Sequence, residues 1–264
     1  MKGIFDTPDD VTGKLDALKT AGIHGIIRYD DPSGNPNSWK QIGTPEYQAI
    51  LARGIAVGIV SEWANDHVGY FSGAAGQRDG AYSLQRATQR NQPKGSAIYA
   101  AVDFDAQPSD MTAISAFFSA FSSILRHAGY RVGCYGSGYC CTTLKTHGLI
   151  DLRWITCSSG FLGSRDAINN GQYDLWQVFG LCDQSYMGLS ADWDTSLTDD
   201  WGQVTAGPQP PPVPTYDAQW LQAELNKLGA SPPLTVDGVI GPASIQAMIA
   251  YVRKTEPKSV KKRR

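Results

Sequence analysis

The stretch "GSAIYAAVDFDAQPSD", Gly95 to Asp110, joins an apolar run to two carboxylates. Its first part, "AIYAAVD" at 97–103, is continuously apolar, which is typical of a parallel strand covered on both faces. Asp103 and Asp105 follow where the strand must end, and residues two apart on a strand point to the same side. The stretch therefore predicts a buried parallel strand with two acids crowded on one face, one of which holds a proton.

Seven further runs have the same apolar character and alternate with helical stretches. These runs lie at 3–6, 25–29, 55–61, 131–136, 153–157, 174–179 and 188–193. Amphipathic helices are predicted within 8–22, 44–54 and 109–129. Eight strands alternating with helices indicate an α/β fold, a (β/α)8 TIM-like barrel. A doubly wound open sheet is the structural alternative.

Composition divides the chain into four segments. In "AGPQPPPVPT", 206–215, five of ten residues are proline, which predicts a stiff extended linker. We expect a barrel over 1–204, a linker over 205–215, a small module over 216–256 and a basic tail over 257–264.

Charge and cysteine content narrow the function classes. The net charge of −2 argues against a nucleic-acid partner, although residues 253–264 carry +6 and the rest of the chain −8. The tail is interpreted either as a contact for anionic outer-membrane or wall polymers or as a solvated end. Five cysteines without regular spacing predict free thiols and a reducing cytoplasm. We expect no signal peptide, no membrane span and a monomer.

The strand ends carry the candidate site, because the C-terminal ends of barrel strands line the active site. Acids in such a cluster suit glycoside hydrolysis, in which one carboxylic acid protonates the leaving oxygen and a second carboxylate assists. Aromatic rings suit the C–H faces of sugars. The candidate acids are Asp6, Glu62, Asp103, Asp105 and Asp192, and the candidate sugar-binding residues are Tyr29, Tyr135, Trp154, Trp176 and Gln177.

Three other interpretations of the acids and cysteines of this chain are open at this point. Asp30 or Asp194 serves equally well as a helix cap. A magnesium or calcium site is the alternative for the acids, whereas the lack of His at any strand end argues against zinc, and we expect no cofactor. A Cys-His hydrolase built from Cys134, Cys140 or Cys141 has no evident third orienting group, so most cysteines are expected to fill the core.

The order of these motifs resembles the family 25 glycoside hydrolases, lysozymes with an acid ending strand one, D-x-E ending strand four, W-Q on strand seven and an acid on strand eight. Here those places hold Asp6, Asp103-Phe104-Asp105, Trp176-Gln177 and Asp192. The chain is more similar still to a related glycoside-hydrolase-like barrel domain, long of unknown function, with "G-F-D" at its start and "I-Y-x-x-V-D-F-D" on strand four. The resemblance covers about residues 1–202. Asp105 stands where the lysozymes have Glu, which makes Glu62 the alternative acid.

The segment "WLQAELNKLGASPPLTVDGVIGPASIQAMIAYVR", 220–253, resembles an all-α peptidoglycan-binding domain with L-Q-x-x-L-x-x-L-G followed by D-G-x-x-G-x-x-T. Ser244 replaces the Thr. A small helical module without a ligand is the alternative.

Together the two resemblances imply a modular bacteriophage endolysin. It would cut the bond between N-acetylmuramic acid and N-acetylglucosamine in bacterial peptidoglycan, with Asp105 as general acid, Asp103 tuning its pKa, and Asp6 and Asp192 stabilising charge. It would be made in the host cytoplasm and act on the cell wall after release. A non-catalytic wall-glycan binder and a wall amidase or peptidase using Cys are the alternatives.

Overall fold

The computed structural model describes residues 3–35, 38–206, 218–239 and 242–255. The chain divides into two compact units, Met1–Gly207 and Pro208–Arg264. Most of the predicted linker and the whole basic tail lie outside the described residues. Within the described part, no helix combines the length and apolarity that a membrane span requires.

The first unit alternates strands and helices. Its strands are β1 (Gly3–Asp6), β2 (Ile23–Asp30), β3 (Ala56–Ser61), β4 (Ala97–Ala101), β5 (Arg131–Gly136), β6 (Leu152–Ile155), β7 (Leu175–Gln177), β8 (Gln184–Tyr186) and β9 (Leu189–Ser196). Its α-helices are α1 (Leu15–Thr20), α2 (Thr44–Ala52), α3 (Gly73–Gln89), α4 (Met111–His127), α5 (Gly138–Thr146) and α6 (Ser164–Asn169). Each predicted strand and helix overlaps one of these, whereas α3, α5 and α6 were not predicted.

Eight of the strands close into a barrel. They pair in the order β1 to β7 and then β9, and β9 pairs back onto β1. The barrel is thus confirmed, but the all-parallel (β/α)8 arrangement is wrong at its last unit, because β9 runs antiparallel to both β1 and β7. Only 11 residues separate β7 from β9. A parallel crossover needs a dozen or more, so the chain makes the short β8–β9 hairpin instead.

Side chains pointing into the barrel form a separate apolar core. Trp201 belongs to this inner cluster and is buried, and Tyr99 donates a hydrogen bond to its carbonyl oxygen (2.6 Å). Gly58 on β3 makes room for the indole, since a Cβ there would lie 2.6 Å from a ring carbon. The members of the inner cluster are Ile4, Ile27, Val60, Ala97, Tyr99, Ala101, Leu152, Trp154, Leu175 and Trp201.

The described part of the second unit contains α7 (Ala218–Lys227) and α8 (Pro242–Thr255). Gln222 on α7 organises the turn that precedes α8. Its amide nitrogen donates to Asp237 Oδ1 (2.7 Å) and to the carbonyl of Val239 (2.9 Å), and its oxygen accepts from the backbone N–H of Gly238 (2.9 Å). The L-Q and D-G motifs therefore hold each other in place across the unit.

Candidate active site

A layer of polar side chains lies directly above the inner apolar core. On a strand, the residue two positions further on points to the same side. Along β1 to β7, the inward-facing side chains therefore change from apolar within the barrel to polar at the C-terminal end of each strand. The paired positions are Ile4 and Asp6, Ile27 and Tyr29, Val60 and Glu62, Ala101 and Asp103, Trp154 and Thr156, and Leu175 and Gln177.

Gln177 joins two of the acids. Its Nε2 donates to Asp6 Oδ2 and to Asp192 Oδ2, both at 2.9 Å. Tyr135 donates its hydroxyl proton to Gln177 Oε1 (2.8 Å), which determines the orientation of the amide. Tyr29 donates to Asp6 Oδ1 at 2.5 Å. Asp6, Asp192 and the predicted residues Tyr29, Tyr135 and Gln177 thus form one network.

Both acids of this network have pKa values raised above the ordinary range. Burial, followed by the charge of Asp192, raises the pKa of Asp6 to about 7, although hydrogen bonds from Tyr29 and Gln177 oppose the change. Burial also raises the pKa of Asp192, while the backbone N–H of Asp183, 2.6 Å from Oδ1, works against it. Asp192 reaches the rim from the middle of β9 because its antiparallel partner is Asp6.

Asp103 and Glu62 form the second acidic pair at this rim. Partial desolvation by the surrounding protein and the neighbouring Glu62 raise the pKa of Asp103 to about 6, although the residue is exposed at the rim. Lys40 Nζ lies 3.0 Å from Glu62 Oε1 and 5.5 Å from the centre of the Tyr29 ring, so it connects the two halves of the site. The charge of Asp103 in turn contributes to the raised pKa of Asp192. The structure therefore brings Asp6, Glu62, Asp103 and Asp192 together.

Asp105 lies apart from this cluster. β4 ends at Ala101, so Asp103 and Asp105 are not on a strand and do not share a face. Asp105 Oδ1 accepts the backbone N–H of Leu162 at 2.6 Å, in the loop after β6. The charges that raise the pKa of Asp103 are those of Glu62 and Asp66. The predicted repulsion between Asp103 and Asp105 is therefore wrong.

Two predicted sugar-binding tryptophans also lie elsewhere. Trp154 is 1% exposed inside the barrel, below the polar layer, and packs edge-on against Tyr135 with ring centres 4.8 Å apart. Trp176 points to the outer side of β7 and contacts Tyr173 and Phe179. Its neighbour Gln177 points inward, and the strand repeat of two then directs Trp176 outward. Stacking on a sugar at the rim is excluded for both indoles in this arrangement.

Asp194 is a buried acid of the site, although the sequence left a helix cap as an equally good role for it. It is fully buried on β9, two residues after Asp192, and Trp154 Nε1 donates to its Oδ1 at 2.8 Å. Its Oδ2 has no donor among the described residues. Burial, followed by the charge of the adjacent Asp6, raises the pKa of Asp194 well above its usual range. The position of Asp194 on the strand, two residues after Asp192, could have identified it as a site residue if the direction of β9 had been known.

Asp30, the other candidate cap, binds Arg90 in a buried ion pair (2.6 Å).

The cysteines differ from the prediction of free thiols. Cys157 and Cys182 form a disulfide between the loops that follow β6 and β7. The backbone N–H of Cys157 donates to Gln177 Oε1 (3.2 Å), so this bridge borders the site. The cysteines Cys134, Cys140 and Cys141 have no disulfide within the described residues and are buried.

Among the described residues, the cysteines and histidines are not arranged for thiol catalysis, and the acids are not arranged for metal binding. His127 and His147 are both exposed, whereas the three thiols are buried, so a Cys-His pair does not form. Within the ranges that the structure describes, no group of three or more His, Cys, Asp or Glu has a geometry suited to a metal ion.

Comparison with known proteins gives a family and a fold. The profile of the family described as "Rv2525c-like, glycoside hydrolase-like domain" matches residues 16–222. The Bacillus subtilis (strain 168) protein YbfG is 27% identical over 232 residues, which are 81% of this chain and 31% of YbfG. FadG of the same organism is 26% identical over 156 residues, 57% of this chain and 27% of FadG. This chain thus spans less than a third of either relative, and both carry the description uncharacterized.

Among solved structures, the Mycobacterium tuberculosis Tat-secreted protein Rv2525c in complex with L-tartrate superposes with a TM-score of 0.64 at 20% identity. The match covers 77% of this chain and 99% of that one. A likeness at this level of identity shows a shared barrel fold.

Proposed function

This chain belongs to the Rv2525c-like family of glycoside-hydrolase-like domains, and on that basis we propose that it hydrolyses the glycan strand of bacterial peptidoglycan. The observation that carries the proposal is the acid cluster at the C-terminal rim of the barrel. There Asp103 has a pKa raised to about 6 and lies beside Glu62, which Lys40 holds at 3.0 Å. An acid whose pKa is raised toward neutral pH, beside a second carboxylate, is the kind of pair that glycoside hydrolysis uses.

We assign the general-acid role to Asp103 in preference to Asp105. Asp103 is at the open side of the site, and its raised pKa leaves a proton available for the leaving glycosidic oxygen. Glu62, paired with Lys40, is the carboxylate that would stabilise the oxocarbenium-like transition state or act on water. Asp105 instead holds the Leu162 loop through its hydrogen bond.

The network around Gln177 has a different role in this mechanism. Gln177 and Tyr29 hold the carboxyls of Asp6 and Asp192 in one orientation, and Tyr135 orients Gln177. Prepositioned polar groups of this kind orient a substrate and lower the barrier without further reorganisation. We propose that this network positions the acetamido group and ring hydroxyls of the sugar whose bond is cut, which we take to be N-acetylmuramic acid.

The second unit would hold the enzyme on its polymer. The Gln222–Asp237 contacts form the framework of the motif that resembles a peptidoglycan-binding domain. A tethered wall-binding module raises the local concentration of the barrel at the glycan. The bacteriophage origin, the cytoplasmic synthesis and the contact of the basic tail with anionic polymers stay predictions from the sequence.

Digestion of purified peptidoglycan tests the proposal. Mass spectrometry of the wild-type products should show new N-acetylmuramic acid reducing ends. Asp103→Asn should lower their rate of release by about 10²–10⁴-fold, the usual loss when general acid catalysis is removed. Asp105→Asn is the matched control, with the same change two residues away, and should retain most of the rate. Equal loss in both variants would refute the assignment of Asp103.

Glycan binding without hydrolysis is the second candidate. It is favoured by the saturation of the Asp6–Gln177–Asp192 network with protein donors. In that case the protein would sediment with peptidoglycan but release no new ends, and Asp103→Asn would leave binding unchanged.

A further inference from the structure

A cavity beside the acid cluster has two exposed indoles in its wall. It encloses about 570 Å³, and Trp39, Lys40, Trp63, Asp31 and Ser33 line it. Trp39 is 71% exposed and Trp63 is 42% exposed. A single exposed indole is ordinary on a protein surface, but two in the wall of one cavity indicate a surface that a ligand covers.

The cavity is continuous with the acid cluster through Lys40. This side chain lines the cavity while its Nζ contacts Glu62 (3.0 Å) and lies over the ring of Tyr29 (5.5 Å). Tyr29 in turn donates to Asp6. A chain molecule that reaches Asp6 and Glu62 can therefore extend over Lys40 into the cavity without leaving the protein surface.

The frame of the cavity is held in place before any ligand binds. The backbone N–H of Trp63 donates to Asn65 Oδ1 at 2.5 Å, and Asn65 Nδ2 donates to the carbonyl of Ala101 at the end of β4. Asp31 is buried, its backbone N–H donates to Gln41 (2.9 Å), and its Oδ1 accepts from Ser33 (2.9 Å). Ordering of the walls beforehand reduces the entropy lost on binding.

We infer that this cavity is a second sugar-binding subsite, which takes a pyranose ring of the same glycan strand next to the ring at the acid cluster. A pyranose has apolar C–H faces for the indoles of Trp39 and Trp63 and a rim of hydroxyls for Asp31, Ser33 and Lys40. An apolar peptide or an acyl chain would remove Lys40 and Asp31 from water without using the hydrogen-bonding capacity that their contacts with Glu62 and Ser33 leave over, which is unfavourable. The inference rests on the proposed function for the identity of the polymer.

Fluorine NMR of the full chain labelled with 5-fluorotryptophan tests the subsite directly. The probe is soluble glycan strands released from peptidoglycan by an amidase, added to the Asp103→Asn variant so that they stay intact. The Trp39 and Trp63 resonances, assigned with Trp39→Phe and Trp63→Phe, should shift with saturation. The resonance of the buried Trp201, which packs against Gly25 and Gly58 below the polar layer, is the internal reference and should stay in place. Unchanged Trp39 and Trp63 resonances at saturating glycan would overturn the inference.

Kinetics separate the subsite from the proposed function. In the otherwise wild-type protein, Trp39→Ala with Trp63→Ala should raise KM about tenfold or more, as is usual when a central aromatic contact is lost, and change kcat little. Leu197→Ala, which truncates an exposed apolar residue beyond the end of β9, is the control and should leave both parameters unchanged.

The outcomes of the two experiments are distinguishable. Glycan-dependent shifts without release of new ends would support the subsite and refute hydrolysis. Hydrolysis with a normal KM in the double variant would support the enzyme and refute the subsite. A dimer that forms without glycan and is lost in the double variant would make these indoles a self-association surface and would also overturn the inference.

Discussion

Replacing Asp6 by Asn should make the protein more stable than the wild type above neutral pH. The pKa of Asp6 is raised from 3.8 to about 7, chiefly by burial. A carboxyl whose pKa is raised on folding binds a proton more tightly in the folded state than in the unfolded state. Its contribution is therefore complete below pH 3.8 and is lost as the pH rises through 7. Asn resembles the protonated acid and does not titrate, so the variant does not lose stability in this way as the pH rises.

The size of the destabilisation follows from the difference between the pKa values of Asp6 in the unfolded and folded states. A group protonated only in the folded state lowers the free energy of unfolding by about 1.4 kcal/mol per pH unit. An interval of about three units therefore corresponds to roughly 4 kcal/mol. Because the raised pKa of Asp194 depends on Asp6, the measured value belongs to the pair of carboxyls. Wild type and variant should be similar in stability near pH 4 and diverge toward pH 8.

Urea unfolding of both proteins at pH 4, 5, 6, 7 and 8 measures the divergence. Asp200→Asn is a control of opposite sign, because Arg131 lowers the pKa of the exposed Asp200. Because the stabilising contribution of a carboxyl with a lowered pKa is complete above its unfolded value, that variant should be less stable than wild type by a constant amount between pH 5 and 8, with no divergence over that range. Parallel wild-type and Asp6→Asn profiles between pH 4 and 8 would show that Asp6 titrates in its ordinary range, and the electrostatic description of the site would then be wrong.

Three further variants test the framework around the site. At pH 4, where the raised pKa of Asp194 has little effect on stability, Asp194→Ala should lower the free energy of unfolding by about 1–3 kcal/mol, because it leaves a buried indole N–H unpaired, whereas Asp194→Asn should recover most of this loss. Cys157→Ser with Cys182→Ser should lower the free energy of unfolding in urea by roughly 2–4 kcal/mol, and excess reductant should reproduce the change in wild type. Gly58→Ala should lower Tm by an amount equivalent to about 1–3 kcal/mol, since the new methyl group meets Trp201, and a Trp201→Leu background should relieve it.

The barrel was predictable because its strands are marked in the sequence by apolar runs. A strand buried on both faces has no polar alternation, and each run from "GIFD" to "DLWQVF" shows this. The direction of the last strand was not predictable from its own residues. It depends on the length of the segment between β7 and β9, which is too short for a crossover helix.

The candidate site was predictable as a set of strand ends but not as a set of contacts. The strand repeat places Asp6, Tyr29, Glu62 and Gln177 inward, as expected. Lys40 was missed because it lies in a loop and approaches Glu62 only in the folded chain. Trp154 was predicted at the rim, but the inward-facing residue there is Thr156, two residues further along the chain. The indole therefore lies one layer deeper in the barrel.

Two D-x-D sequences in this chain show why strand geometry decides the role of an acid pair. In "VDFD" the strand has already ended at Ala101, so Asp103 faces Glu62 while Asp105 turns to the Leu162 loop. In "ADWD", within β9, both carboxyls face the barrel interior and the intervening Trp193 packs outside against Phe5. Since β9 descends into the barrel, Asp192 meets Gln177 at the rim and Asp194 meets Trp154 below it. After burial, the charge that most raises the pKa of Asp194 is therefore that of Asp6 on the neighbouring strand, ahead of Asp192 in its own D-x-D sequence. Pairing between strands brings these carboxyls into stronger electrostatic contact than their spacing along one strand does.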